Sequence, residues 1–296
     1  MGFLKSLVPV LLLCSLAACE KSIDFKLAET PAKLVVEASI ENGEGPVVVL
    51  TNSFDFFSTI NQQLLANAFV HDAEVFVSDG SKTHKLKEYR IPLGPEAAFF
   101  YYATDSSSLE TAVTGQQGSS YTLRIVNGGK EYTAATTIPN ITKGVDSVWW
   151  KQAPPTIDSS KVVVMIKATD PPGYGDYIRY FTKKNEEPFF PGLNSVFDDL
   201  FIDGTSYEIP VEPGSDRNVD REEEDLFFTK GDVVTIKLSN IDRATYDFWR
   251  TMEFSYASIG NPFSSPTKVL GNISNGALGY FGGYASQYFT IAIPEQ

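Results

Sequence analysis

The sequence predicts a mainly β protein of two β-sandwich, immunoglobulin-like domains, the second with one α-helix and long loops. Three observations predict it. Apolar and β-branched residues fall in short runs of strand length, turn dipeptides separate those runs, and helical periodicity emerges only once.

Ahead of the strands, Lys5 gives a short positive segment and Leu7 to Leu16 an apolar core. That core is too short for a bilayer, which needs about 20 residues. It closes on Leu16-Ala17-Ala18-Cys19, a lipobox pattern. The pattern predicts a signal peptide over 1–18, a diacylglycerol on the Cys19 thiol and acylation of the amine freed by cleavage. Each buried methylene is worth about 0.8 kcal/mol, so two or more acyl chains anchor stably where one does not. Cys14 leaves with the signal, so no disulfide is available. Residues 19–32 read as a lipidated tether closed by Pro31.

The first domain is expected over 33–140. Leu34 to Ile40 is rich in β-formers, and Asn42-Gly43-Glu44-Gly45-Pro46 turns the chain into Val47 to Thr51. Glu74 to Ser78 ends at Asp79-Gly80, a dipeptide suited to positive φ, with Thr83 to Glu88 as its partner. Phe99 to Tyr102 is a further strand. Tyr121 to Val126 alternates cleanly, turns at Asn127-Gly128-Gly129 and returns through Tyr132 to Ile138.

Pro139 to Gly144 reads as a linker, and the second domain as 145–296. Its strands are Val145 to Trp150, Val162 to Ala168, Tyr177 to Lys183 and Val233 to Leu238. Residues 184–229, acidic, aromatic and broken by proline, read as long loop. Ile241, Thr245, Phe248, Trp249, Met252 and Tyr256 recur at helical spacing, which predicts a helix near 241–256 capped by Ser239 or Asn240. Gly260 to Tyr284 reads as ordered loop, and Gln287 to Ile293 as the last strand.

The formal charge of −13 argues against nucleic acid and against a basic patch for anionic lipid. His71 and His84 read as exposed strand histidines without Cys or His partners at ligand spacing, so no metal is expected. No G-x-S-x-G elbow, P-loop, H-E-x-x-H or dinucleotide fingerprint is present, and neither catalytic residues nor a cofactor are expected. Asp198, Asp199 and Asp203 have the flavour of a calcium loop without its alternating pattern, and Glu222 to Asp225 read as solvated acids. Trp149 and Trp150 are neighbours, so in a strand one enters the core and the other faces a junction or a ligand. The candidate ligand or partner contacts are Trp149, Trp150, Phe189, Phe190, Phe281 and Tyr284, with Tyr101 and Tyr102 as further members of an aromatic platform.

Several runs carry a family resemblance: Cys19-Glu20-Lys21-Ser22-Ile23-Asp24, Leu34 to Ile40, Gly118 to Leu123, Tyr132-Thr133-Ala134 and Gly260-Asn261-Pro262-Phe263. The most specific is Asn272 to Gly282. With these runs the chain resembles the Bacteroidota lipoproteins catalogued as domain of unknown function 4249, departing at Ala38, where a glycine is expected. The resemblance implies an outer-membrane or surface lipoprotein of a kind often encoded beside a TonB-dependent receptor, which is the partner it suggests, and it brings no catalytic residues.

The expected function is therefore a non-enzymatic accessory, capturing ligand for a TonB-dependent transporter and held on the outer membrane by its lipid. A free-standing adhesin or glycan-binding protein is the alternative, and a glycan-active enzyme has least support. The lipobox makes a direct prediction: Cys19→Ser should abolish labelling by radioactive palmitate and release the chain from the membrane fraction. Labelling that survives the substitution would remove the anchor.

Overall fold

The computed structural model describes residues 31–54, 61–94, 97–219, 221–261, 263–265 and 267–295. The expected signal peptide, Cys19 and the tether up to residue 30 lie outside the described residues.

Eight strands come from the first half of the chain. They are β1 (Leu34–Glu41), β2 (Val47–Asn52), β3 (Glu74–Ser78), β4 (Thr83–Lys85), β5 (Lys87–Pro92), β6 (Ala98–Ala103), β7 (Ser120–Asn127) and β8 (Lys130–Thr137), with a short helix α1 (Gln62–Ala66) after β2. The second half adds β9 (Gly144–Gln152), β10 (Lys161–Thr169), β11 (Tyr177–Lys184), β12 (Phe190–Asp198), β13 (Ser206–Val211), β14 (Phe228–Thr229), β15 (Val233–Ile241), helix α2 (Arg243–Ala257) and β16 (Leu278–Ala292).

Local chemistry explains the best of these. Along β7 and β8 buried and solvated positions alternate, as a half-buried antiparallel pair requires. The hairpin turns through Gly128 and Gly129, both at positive φ, with Asn127 facing Lys130. In the β3–β4 turn, Asp79 accepts from the backbone N–H groups of Ser81 and Lys82, and Gly80 takes the positive φ.

One eight-stranded sheet, ordered β12-β11-β15-β16-β1-β2-β6-β5, runs through strands of both halves. Two four-stranded sheets accompany it: β4-β3-β7-β8, and β13-β10-β14 with β9 also paired to β10. The first packs on the large sheet around Val36, Ile40, Leu50, Val75, Leu123, Ile125 and Phe281. The second does so around Val162, Val164, Val211, Phe228, Val234 and Ile236. The fold is mainly β with sandwich-like layers, and the segments 33–140 and 145–296 share a sheet, so that Ala32–Gln296 forms one unit. The physical reason is β16. Its first half lies parallel to β1 and supplies Phe281 and Ala285 to one core, while its second half pairs with β15 and packs Ile291 against the other.

The chain differs from its sequence-based expectations at four places. Residues 184–229, expected as loop, contain β12, β13 and β14. Pro191 and Pro210 are tolerated there because β12 and β13 are edge strands. Gly260 to Tyr284, expected as loop, includes the start of β16, where glycines permit close approach instead of turning the chain. The cap of α2 is Asp242, whose Oδ1 accepts from the Thr245 N–H at 2.8 Å, whereas Ser239 and Asn240 are buried in β15. His84 is fully buried at 0 % exposure. Its Nε2 accepts from the Asp105 N–H at 2.9 Å, which leaves the ring proton on Nδ1 for Thr111 Oγ1 at 2.8 Å.

The run most specific to the family resemblance acts as mortar. Asn272 donates to the Phe281 carbonyl and accepts from its N–H, both at 2.8 Å, and Ser274 meets the backbone of Thr133 on β8. At Gly279, with φ of +98°, a Cβ would lie 1.8 Å from the Val36 carbonyl oxygen across the β1–β16 pair. Gly276 also has positive φ, +75°, but nothing lies within 4 Å of its missing Cβ. Gly276→Ala should therefore cost about 1–2 kcal/mol, the penalty of a left-handed L residue. Gly279→Ala should cost clearly more, by urea unfolding, and equal losses would show that the close approach does not matter.

Candidate functional site

The second core does not close. Between β10 and β13 on one side and β11, β12 and β15 on the other, its apolar packing opens into a cleft of about 550 Å³. Ile166 and Ala168 of β10, Ile178 of β11, Ile209 and Val211 of β13, and Ile236 and Leu238 of β15 form its walls. Alternation within these strands turns their branched side chains toward the facing sheet. Tyr180 stacks on Phe197 at 6.0 Å between centroids, and both line the cleft. The Tyr180 ring fits because position 192 is glycine: a Cβ there would fall 1.9 Å from its hydroxyl oxygen.

The mouth is a built turn. Phe201, 96 % exposed, stands on the segment between β12 and β13, and it lines the cleft together with Ile202. Buried Asp199 holds this segment by accepting from the N–H groups of Gly175 and Asp176, and Asp203 accepts from Gly173. Of the acids expected to have a calcium-loop flavour, Asp199 and Asp203 thus spend oxygens on backbone donors, and no cluster of metal-ligating side chains occurs among the described residues.

Polar groups gather at the rim. Tyr246 of α2 donates to Asp198 Oδ2 at 2.8 Å, and burial, then that carboxylate, pushes its hydroxyl pKa up. Burial, with Glu212 adding to it, pushes Tyr180 up to about 12. Burial also raises Tyr207. These phenols stay neutral hydrogen-bonding groups near pH 7. Among the described residues no Lys, Arg or His lines the cleft, whose ionisable rim is Asp198, Glu212 and the tyrosines.

Tyr246 is in place because α2 is held at several points. Asp242 Oδ2 accepts from Thr136 Oγ1 at 2.9 Å and the Thr137 N–H at 3.1 Å, tying the cap to β8. Glu253 accepts from the Ser195 N–H and hydroxyl and from Arg217 Nη2, the last at 3.0 Å. Arg179 lies 3.4 Å from the Trp249 ring centroid and donates to Ser195 Oγ and the Tyr284 hydroxyl. Phe248 stacks on Tyr280 at 4.3 Å.

None of the six aromatic contacts expected from sequence lines the cleft. Trp150 packs on the second core, and Trp149, on the opposite face of β9, is half-buried. Phe189 rests against Tyr288 at 5.8 Å, and Phe190 is half-buried at the start of β12. Phe281 is buried in the first core, and Tyr284 lies beneath α2, its hydroxyl accepting from Arg179 and Trp249 and sharing a hydrogen bond with the Tyr280 hydroxyl. Neither can meet a macromolecular partner. Tyr102 is buried too, its hydroxyl donating to the Val70 carbonyl. The residues that do form the site carry one readable signal, an apolar Leu200-Phe201-Ile202 inside an acidic turn.

Residues 20–289 match the family model described as Domain of unknown function (DUF4249), and the chain belongs to that family. No curated protein matches the chain.

Removing one partner of a buried ion pair costs about 3–5 kcal/mol. Glu253→Ala should lower stability by that order, because Arg217 and the Ser195 N–H lose their acceptor together. Urea unfolding checks it: a loss near the surface-substitution range of about 0.5 kcal/mol would show that this network does not hold α2.

Proposed function

We propose that this chain is a lipid-anchored outer-membrane protein that captures a ligand for a TonB-dependent transporter and catalyses no reaction itself. The observation that carries the reading is the cleft: an apolar receptacle of about 550 Å³, the size of small-molecule sites, with a few neutral phenols and carboxylates at its rim. The lipobox at Cys19 supports the address, and the partner is what the resemblance of the sequence runs implies. The groups around the cleft hold and orient: Tyr246 is tied to Asp198 and Tyr180 stacks on Phe197.

The alternative of a free-standing glycan-binding protein or adhesin draws on a different place. At the β5–β6 edge Tyr89 stacks on Tyr101 at 5.7 Å and Tyr101 on Phe99 at 6.3 Å, an aromatic row of the kind that meets sugar faces.

Nile red, an uncharged apolar dye, is the probe for the cleft. It should bind the full chain with a blue shift, and Ile209→Trp, at a half-solvated position of the lining, should abolish binding without changing the circular dichroism. Dye binding that ignores this substitution would remove the cleft from the reading. A mild-detergent pull-down should recover a TonB-dependent receptor in near-equal amount. The lipoprotein alone, together with a hit on a glycan array lost in Tyr101→Ala, would favour the alternative.

A further inference from the structure

We propose that Lys143 and Asp170 are joined by an intramolecular isopeptide bond between Lys143 Nζ and Asp170 Cγ. The two side chains are 1 % and 0 % exposed, and Nζ stands 2.8 Å from Asp170 Oδ1. The contact lacks the angles of a hydrogen bond, and neither the ammonium nor either carboxylate oxygen has another hydrogen-bond partner among the described residues. A buried ion pair survives the loss of its hydration only when further hydrogen bonds satisfy its remaining protons and lone pairs. This pair has none, and an amide would remove both charges at once.

The backbone brings the two groups together and keeps them there. Gly144 of β9 faces Thr169 of β10, so Lys143 and Asp170 are the next antiparallel positions beyond the ladder. Lys143 is fixed by its carbonyl, which accepts from Gln287 Nε2 at 2.8 Å, and Asp170 by its N–H, which donates to the Thr205 carbonyl at 2.9 Å. Groups so held react as if at very high concentration.

The condensation needs no oxidant, reductant or co-reactant. Lys143 gives up two of its three ammonium protons, and its nitrogen attacks Asp170 Cγ. The C–N bond forms, one C–O bond breaks, and the oxygen leaves with those two protons as water. The nearby Asp176 carboxyl is held above the usual range by burial, against a lowering hydrogen bond with Thr142, and it feels the charges of both Lys143 and Asp170. Among the groups around the pair, Asp199 is committed to the N–H groups of Gly175 and Asp176. No cysteine lies between residues 32 and 296, so this is a covalent tie open to a unit that has no disulfide.

Peptide mapping of the full chain tests it. An acylated Lys143 resists trypsin, so the digest should hold a branched species, Glu131–Lys151 joined to Ala168–Arg179, lighter than the two together by one water. Recovery of separate Glu131–Lys143 and Gly144–Lys151 peptides would overturn the proposal. Asp170→Ala should yield only the separate peptides; if that variant does not fold, the map of the native chain still decides.

Discussion

Everything in this molecule hangs on the pairing of its last strand with its first. β16 enters the large sheet parallel to β1, with Val36 opposite Gly279 and Glu41 opposite Tyr284, and then runs on beside β15. A strand of fifteen residues is long enough to give Phe281 to one core and Ile291 to the other. The approach is close: besides Gly279, Gly283 comes so near the Thr137 carbonyl that a Cβ would sit 2.5 Å from its oxygen. Asn272, hydrogen-bonded to both backbone groups of Phe281, fixes the start of the strand. The two sandwich layers are consequently two sides of one construction, and the cleft at the edge of the second layer is held on a frame that includes the first.

The local elements were legible because their signals are local. The β7–β8 hairpin shows its period in the sequence and its turn in Asn127-Gly128-Gly129. The apolar spacing of Phe248 and Trp249 gave α2 to within two residues. What was not legible depends on neighbours far away in the chain. Pro191 and Pro210 argue against strands unless the strands are known to be edges. Glycines 279, 282 and 283 look like loop until Val36 and Thr137 are seen beside them. Ser239 and Asn240 look like caps until β15 is seen to continue through them to Ile241. His84 reads as surface until Thr111 and the Asp105 N–H close over it.

The site was the least legible part, for a related reason. Sequence reading favours conspicuous aromatics, and here those residues went to packing: Phe281 to a core, Tyr284 to the polar layer under α2, Trp150 to the second core. The cleft is walled by ordinary branched residues of five strands, none unusual alone. Its one sequence signature, the apolar tip of an acidic turn, becomes meaningful only because Asp199 and Asp203 anchor that turn to the segment at 173–176. The acidic loop is an internal clamp.

The parallel β1–β16 pair also has a consequence in time. Hairpins such as β7–β8 close over a few residues and can form as soon as they are made, whereas β1 must wait for a partner more than two hundred positions downstream. Contacts so distant in sequence carry a large loop-closure cost before they return any stabilisation, and they slow folding. Until then β1 has only β2 beside it, and the core face of Val36, Ala38 and Ile40 lacks the Phe281 and Ala285 that complete it. The sheet is therefore a late event in the life of the chain, complete only once β16 has been delivered, and the unfinished form is an open edge next to an open core, the state most in need of protection from other chains.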